Sequence, residues 1–301
     1  MTALHTSPEA AKLATKDVAA SPSFKTTSWL EAARGDCAIK SLSVLSMIGL
    51  WYVAASRLPP TIMPPPHIVV EVLWEEMISG PIWSHVLVTL QRIAIAFSVA
   101  MSVSLILGFA MGMLRTAERF FEVWILTAMI IPSLVLILTI YMVVGLNDTA
   151  AIIGAALPVI PIVTINIWES IKAVDTKLID MSKVYRAEKM RIIRSVITPQ
   201  IAPTLFASAR FGLGLVWKTV LFVELLGRSD GIGYQIQFYY QLFNMSGVLA
   251  HALLFLIIML FLEIVILGRF EKRFSAGVRR SGGSDGPGRS GGRSEAQGGV
   301  D

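Results

Sequence analysis

Cysteine and charge are both scarce in this chain. Cys37 is the single cysteine among 301 residues, so no disulfide can close within the chain and no cysteine cluster can hold a metal. Charged residues make up 16% of the sequence, against roughly 25% in an ordinary soluble domain. Chemistry-bearing patterns are missing too. There is no GxxxxGK[ST] loop to cradle a nucleotide phosphate. His85 and His251 stand apart from each other and from any cysteine, so they read as satisfied helix-edge histidines rather than metal ligands. Glu75 and Glu76 are adjacent and point different ways on a helix, and no nucleophile with a base beside it can be picked out. The residues therefore call for no enzyme activity of the chain's own, no metal and no cofactor.

What the sequence has in abundance is apolar residues, 54% by the AVILMFWYC count. They gather in runs free of Asp, Glu, Lys and Arg: Ser41 to Ser56, Ile93 to Leu114, Val123 to Asn147, Thr149 to Trp168 and Gly231 to Leu262. About 20 such residues cross a bilayer, and a charge placed at its centre is costly. The first run is short, but Lys40 and Arg57 at its ends can snorkel to the interfaces. Between Pro203 and Leu226 the apolar pattern continues through Arg210, Lys218 and Glu224. That stretch is expected to be a membrane helix facing other protein. The result is an all-α membrane protein of six transmembrane helices, over about 39–57, 85–114, 121–146, 149–168, 203–227 and 246–268.

Net charge of +5 would suit a nucleic-acid partner if it were clustered, but the basic residues fall between the apolar runs. Of the 26 Lys and Arg, 21 lie in the N-terminal segment through Lys40, the loop with Arg115 and Arg119, the loop from Glu169 to Thr198, and the segment from Arg269 onward. Cytoplasmic segments carry this excess, so both termini are expected in the cytoplasm. Residues 1–36 hold no apolar stretch long enough for a signal peptide, which leaves the first span as its own insertion signal. Residues 1–38 and the Gly/Ser/Arg-rich tail 276–301 are expected to be flexible. Lys272, Arg273, Arg279 and Arg280 would hold the C-terminus near anionic lipid.

Two connections are long. The first, Leu58 to Ser84, opens with five prolines and then turns amphipathic, with Ile68, Val69, Val72, Leu73 and Met77 on one side and Glu71, Glu75 and Glu76 on another. It suits a short helix along the outer surface. The second, 169–199, is cytoplasmic and helix-forming, with Asp180, Lys183, Arg186, Glu188, Lys189, Arg191 and Arg194 interleaved with Ile179, Met181, Val184, Tyr185, Met190, Ile192 and Ile193. One surface helix cannot hide all of those apolar side chains, so some must meet bilayer or another protein. An inert spacer is the competing reading of this loop. In the second span Gly108 and Gly112 form a GxxxG spacing, which suits close packing either within the chain or in a dimer.

These residues resemble a known family. Met63-Pro64-Pro65-Pro66 resembles the Leu-Pro-Ser-Pro that follows the first span of permease subunits of bacterial ABC importers, in the nitrate, sulfonate, taurine and bicarbonate group of the binding-protein-dependent transport family. His85 through Arg92, Val174-Asp175 with Leu178, Val223-Glu224-Leu225-Leu226-Gly227, Asp230-Gly231-Ile232-Gly233-Tyr234 and Phe270-Glu271-Lys272-Arg273 resemble further family segments in the same order. The likeness covers about residues 40–275. The family's cytoplasmic loop begins Glu-Ala-Ala, carries a Gly four residues after the second Ala, and closes on a Pro 19 positions after the Glu. Counted back from Pro199, it opens on Asp180-Met181-Ser182, Ala187 and Pro203 keep their places, and Arg186 stands where Gly is expected.

The resemblance implies a type I ABC importer permease fold in a bacterial inner membrane. It implies a second permease subunit, the same or different, together with two cytoplasmic ATP-binding subunits and a periplasmic substrate-binding protein. The solute would be a small anion such as a sulfonate, taurine, nitrate, bicarbonate or an organic acid. ATPase-coupling residues are expected at Asp180, Val184, Tyr185, Arg186, Ala187, Met190 and Pro199, with Asp180 favouring the helix N-terminus through its dipole. Arg in place of Gly at 186 argues for a continuous helix or a shifted turn, because positive φ is free of penalty only for Gly.

The translocation path or gate is expected to involve Arg210, Lys218 and Glu224. Lys218 and Glu224 lie about 240° apart around a helix and should find different partners, a structural ion pair being the plainer role for Lys218 and attraction of an anion the functional one. Arg92 reads as a snorkelling residue at a span edge. An ATP-independent transporter or channel is the alternative. It would spread ionisable residues over several spans, whereas here they concentrate in the fifth span and the cytoplasmic loop.

Overall fold

The computed structural model describes residues 29–264 of the 301. The end of the expected last span to 268, the basic segment after it and both outermost tails lie outside the described residues. Every regular element among those described is helical. The chain divides into two units, residues 1–58 and 59–301. Helix α1, Trp29–Arg57, belongs to the first. It starts ten residues ahead of the expected span, so residues 29–38, expected to be flexible, are helical.

The second unit carries eleven further helices among the described residues. They are α2 (Pro66–Ser79), α3 (Ile82–Met113), α4 (Arg115–Ile130), α5 (Ser133–Val144), α6 (Asp148–Ala156), α7 (Val159–Lys172), α8 (Thr176–Val184), α9 (Lys189–Ile192), α10 (Thr198–Gly227), α11 (Ile232–Gln241) and α12 (Met245–Leu262). A π turn, Ile193–Ile197, joins α9 to α10. Among the described residues, four stretches are long and apolar enough to cross a membrane: Ile39–Arg57, Ile82–Met113, Asp148–Lys172 and Met245–Leu262. Helices α4 and α5 pass as a pair but bend by 99° at the break between them.

The run expected over 121–146 is thus two helices. The cause is local: Pro132 has no amide hydrogen to donate and forces Ile131 out of the helical region, to φ −72° and ψ 125°. Helix α10 has 30 residues and carries Arg210, Lys218 and Glu224 along its length.

The centre of the second unit is α3 against α7, with α10 across both. Helix α3 buries Ile82, Val86, Thr89, Ile93, Ala96, Ala100, Ser104, Gly108 and Met111, a stripe at three- and four-residue spacing. Helix α7 answers with Val159, Val163, Thr164, Ile167 and Ile171. Ser104 donates to the Ile160 carbonyl at 3.1 Å, and Thr219 of α10 donates to Ala155 at 2.9 Å. Where hydrocarbon surrounds the helices, close packing and such bonds rather than expulsion of water hold them together.

The GxxxG pair resolves here to packing inside the chain. A Cβ on Gly108 would come within 2.7 Å of Ile167, and one on Gly112 within 2.7 Å of Ile171. Helix α2 starts on Pro66 and buries Val69 and Leu73, one turn apart, while Glu71 and Glu75 stay exposed. Its Glu76 departs from the polar side and accepts a hydrogen bond from Tyr239 of α11.

Filling the contact between α3 and α7 should be felt directly. Gly108→Leu should destabilise the fold by about 1–3 kcal/mol, read as a drop of several degrees in the thermal unfolding midpoint of the detergent-purified protein.

Candidate functional site

Three places collect the polar side chains. The first is a buried ion network. Arg92, eleven residues into α3, is not a snorkelling residue at an edge; its side chain is 4% exposed. Its Nε and Nη2 donate to Asp148 Oδ1 at 3.0 and 2.6 Å, and its Nη1 donates to Glu224 Oε1 at 2.9 Å and to the Asp230 carbonyl at 3.1 Å. Nη2 also donates to the Asp230 carboxylate. Arg228 joins through Nη2, 3.1 Å from Asp148 and 3.5 Å from Asp230. Two guanidinium groups thus meet three carboxylates drawn from α6, α10 and the turn before α11.

Glu224 is fully buried. Besides Arg92 it accepts from Thr89 Oγ1 at 2.9 Å and from the Gly233 amide at 3.0 Å. The Ile232 amide donates to Thr89 at 2.9 Å, and the Gly231 amide to His85 Nδ1 at 3.0 Å. The chain folds this closely because of its glycines. Gly231 sits at φ 101°, and a Cβ there would overlap the Glu224 carboxylate; a Cβ on Gly233 would come within 2.6 Å of Glu224 Cβ. Burial pushes the Asp230 carboxyl upward, but the hydrogen bond from Arg92 and the charges of Arg92 and Arg228 outweigh it and hold Asp230 below the usual carboxylate range.

The second place is the segment 176–199. Helix α8 ends at Val184, and Tyr185 and Arg186 form a turn before α9. Arg186 does not continue the helix: it takes φ 52°, the left-handed conformation Gly would supply. The Ala187 amide donates back to the Ser182 carbonyl at 3.0 Å, closing the helix end over that residue. A non-glycine residue in this region costs about 1–2 kcal/mol. Val184 is 81% and Tyr185 80% exposed, and Met190 and Pro199 are exposed as well.

Ala187 is half-buried. Asp180 is exposed in the second turn of α8, not at its N-terminus. The acid at the N-terminal end of α8 is Asp175, whose carboxylate accepts from the Lys177 amide at 2.9 Å. The Asp175 amide in turn donates to Gln200 Oε1 at 3.2 Å, tying the start of α8 to α10.

The third place is a groove of about 760 Å³ between α3, α10 and α12 that contains Arg210 and Lys218. Arg210 donates to Glu263 Oε1 at 2.8 Å. Lys218 has no ion pair among the described residues; its Nζ lies 5.5 Å from the centroid of the Trp217 ring. Glu224, expected with these two, does not line the groove. It points the other way on α10, into the Arg92 network, as the six-residue spacing from Lys218 requires.

Sequence reading passed over Arg92, Asp148 and Asp230 as one cluster, because residues 56 and 138 positions from Arg92 meet only through the helix packing. The signal available was an arginine in an apolar run, together with a Gly-x-Gly beside an acid.

Residues 100–278 match the family described as Binding-protein-dependent transport system inner membrane component. The chain belongs to that family. It is 29% identical over 192 residues to a protein named for aliphatic sulfonates transport, the permease SsuC of Escherichia coli, covering 63% of this chain and 73% of that one. It is 27% identical to the taurine transport system permease protein TauC of Escherichia coli, over 78% of this chain and 88% of that one. The nitrate import permease protein NrtB of Synechococcus elongatus is 25% identical, over 66% and 74%.

In fold it is similar to a chain of the MetNI methionine ABC transporter in an inward-facing conformation, at 19% identity and a TM-score of 0.52, covering 61% of this chain and 93% of that one. A chain of an amino acid ABC transporter solved with histidines gives the same TM-score and identity over 66% and 93%. The family membership makes this chain a permease subunit of a binding-protein-dependent ABC importer.

The ion network should dominate the stability of its end of the bundle. Arg92→Leu leaves the Glu224 carboxylate buried without its cation and should cost roughly 3–5 kcal/mol. Adding Glu224→Gln to that variant should recover part of the loss, a coupling that a double-mutant cycle on thermal unfolding would measure.

Proposed function

We propose that this permease carries a small anion inward across a bacterial inner membrane, driven by ATP hydrolysed in two separate cytoplasmic subunits and supplied by a periplasmic binding protein. Six crossings suit this reading: α1, α3, the bent pair α4 and α5, the pair α6 and α7, α10, and α12. The 30-residue length of α10 and the burial of its ionisable Glu224 against other protein support counting it among them. The Lys and Arg excess supports a cytoplasmic side for both termini and the loop 169–199. Residues 39–275 form the permease domain between an N-terminal segment and a C-terminal tail. A second permease subunit, identical or different, completes the pathway.

The observation that carries the coupling is the exposed knuckle at residues 184–186. Apolar Val184 and aromatic Tyr185 stand out in solvent at the tip of a short helix whose base is tied to α10 through Asp175 and Gln200. An exposed apolar tip on a stiff support fits a cleft in another protein. Movement of that cleft would pass as a rigid-body shift into α10, the helix that carries Arg210, Lys218 and Glu224. Asp180, Val184, Tyr185, Arg186, Ala187, Met190 and Pro199 are the residues of this contact and its frame. Arg210 and Lys218 line the path, and Glu224 acts from behind by anchoring α10 to α3. The relatives named for sulfonates, taurine and nitrate share an anionic group, and this supports an anion as the solute.

Replacing Tyr185 and Arg186 together with Ala should cut substrate-stimulated ATP turnover of the reconstituted complex at least fivefold while the permease still inserts and purifies. Unchanged turnover would remove the coupling assignment. Topology has its own check: with Cys37 changed to Ser, a membrane-impermeant thiol reagent applied from the cytoplasmic side should label Ser281→Cys and spare Ser229→Cys. The reverse pattern would invert the orientation.

A further inference from the structure

The corner where α3 passes into α4 carries a pair of cations that no carboxylate among the described residues meets. We infer that it holds an anionic phospholipid, the phosphate between Arg115 and Arg119 and the acyl chains along the apolar stripe that follows them on α4. The inference depends neither on which solute the importer carries nor on which face of the membrane is cytoplasmic.

Helix α3 is long and apolar enough to cross a membrane and ends at Met113. Arg115, at the start of α4, therefore lies at a membrane face. Arg115 and Arg119 stand one turn apart on one side of the helix, about 6 Å along the axis. Both are exposed, and neither makes an ion pair or a side-chain hydrogen bond among the described residues. The acids of α4 are turned elsewhere. Glu118 accepts from Lys172 Nζ of α7 at 2.6 Å, and Glu122 is half-buried and forms no ion pair among the described residues.

A hollow of about 460 Å³ lies at this pair, lined by Arg115, Thr116, Arg119 and Phe120. Two guanidinium groups and a hydroxyl are the donors that a phosphate diester takes, and guanidinium suits its oxygens in geometry as well as charge. Phe120 supplies the hollow with an apolar wall.

The face that starts with the arginines turns apolar further along. By helical periodicity Arg115, Arg119, Val123, Leu126 and Ile130 fall within about 80° of one another. Val123, Leu126 and Ile130 are all exposed, and Ile125, on another side of α4, is the residue buried against the chain. From Arg119 to Ile130 the stripe runs about 16 Å. One leaflet's share of the hydrocarbon core is roughly 15 Å.

Charge and stripe together choose the occupant. Free phosphate would meet the arginines and leave Val123, Leu126 and Ile130 bare, and an acidic protein surface would do the same. A zwitterionic phospholipid would bring its own ammonium to a place that already holds two cations. An anionic phospholipid answers both the charge and the apolar stripe.

The test titrates the full-length permease, purified in dodecyl maltoside, with dioleoyl phosphatidylglycerol or dioleoyl phosphatidylcholine, and native mass spectrometry counts the first bound lipid. Phosphatidylglycerol should bind at least tenfold more tightly, and millimolar inorganic phosphate should not displace it. Arg115→Gln combined with Arg119→Gln should weaken phosphatidylglycerol tenfold or more. Arg191→Gln combined with Arg194→Gln removes the same charge elsewhere and should leave its affinity unchanged. Val123→Gln combined with Ile130→Gln should weaken it at least threefold with both arginines in place.

Equal affinity for the two lipids, displacement by inorganic phosphate, or an equal loss in the two arginine double variants overturns the inference. So does a variant of Arg115 and Arg119 that keeps its phosphatidylglycerol and loses the ATP-binding subunits on co-purification, which would make the pair a protein contact. Should that variant not purify as a monodisperse protein, the comparison of the two lipids and phosphate on the unaltered chain decides.

Discussion

A guanidinium inside a helix bundle has to be surrounded by carboxylates, and meeting that need for Arg92 positions much of this molecule. Arg92 draws Asp148 at the start of α6, Glu224 near the end of α10 and Asp230 in the following turn onto one point of α3. Glu224 then carries the arrangement further by accepting from Thr89 and from the Gly233 amide, which sets where α11 begins. Breaking a buried pair of this kind leaves an uncompensated charge, whereas sliding all partners together does not. The network consequently resists local disorder and permits rigid movement of the helices it joins.

The opposite end of α10 is built on a different principle. Around residues 176–199 few side chains are buried, the helices are short, and Arg186 is held at a positive φ. Strain of that sort persists where the surrounding structure enforces it and often where a surface serves a partner. Helix α10 thus joins a firmly bonded end to a lightly held, exposed one. The groove with Lys218 lies between them.

Much of the chain's organisation was legible before any coordinates. The charge-free runs 41–56 and 93–114 fall within the long helices α1 and α3, whereas 123–147, 149–168 and 231–262 each hold two helices; the amphipathic pattern marked α2, and the angle between Lys218 and Glu224 separated their surroundings. The family segments around Glu224, Gly231 and Gly233 could be recognised, although their purpose could not. The same reading erred where local propensity competes with context. Arg186 was expected to give a continuous helix or a shifted turn, yet the helix ends there and closes over it through the Ala187 to Ser182 hydrogen bond. Arg92 looked like an edge residue because it lies near the start of the expected span, just ahead of the charge-free run Ile93 to Leu114.

The amino-acid order alone determined the helical class and the membrane character, because each depends on hydropathy and charge summed over neighbouring residues. Only the tertiary structure decided that Arg92, Asp148, Glu224 and Asp230 meet, that Gly108 and Gly112 face Ile167 and Ile171, and that Lys218 has no ion pair among the described residues. Those outcomes depend on the rotation and depth at which separate helices come to rest against one another. Periodicity along one helix leaves both of these free, and the packing of all of them together sets them.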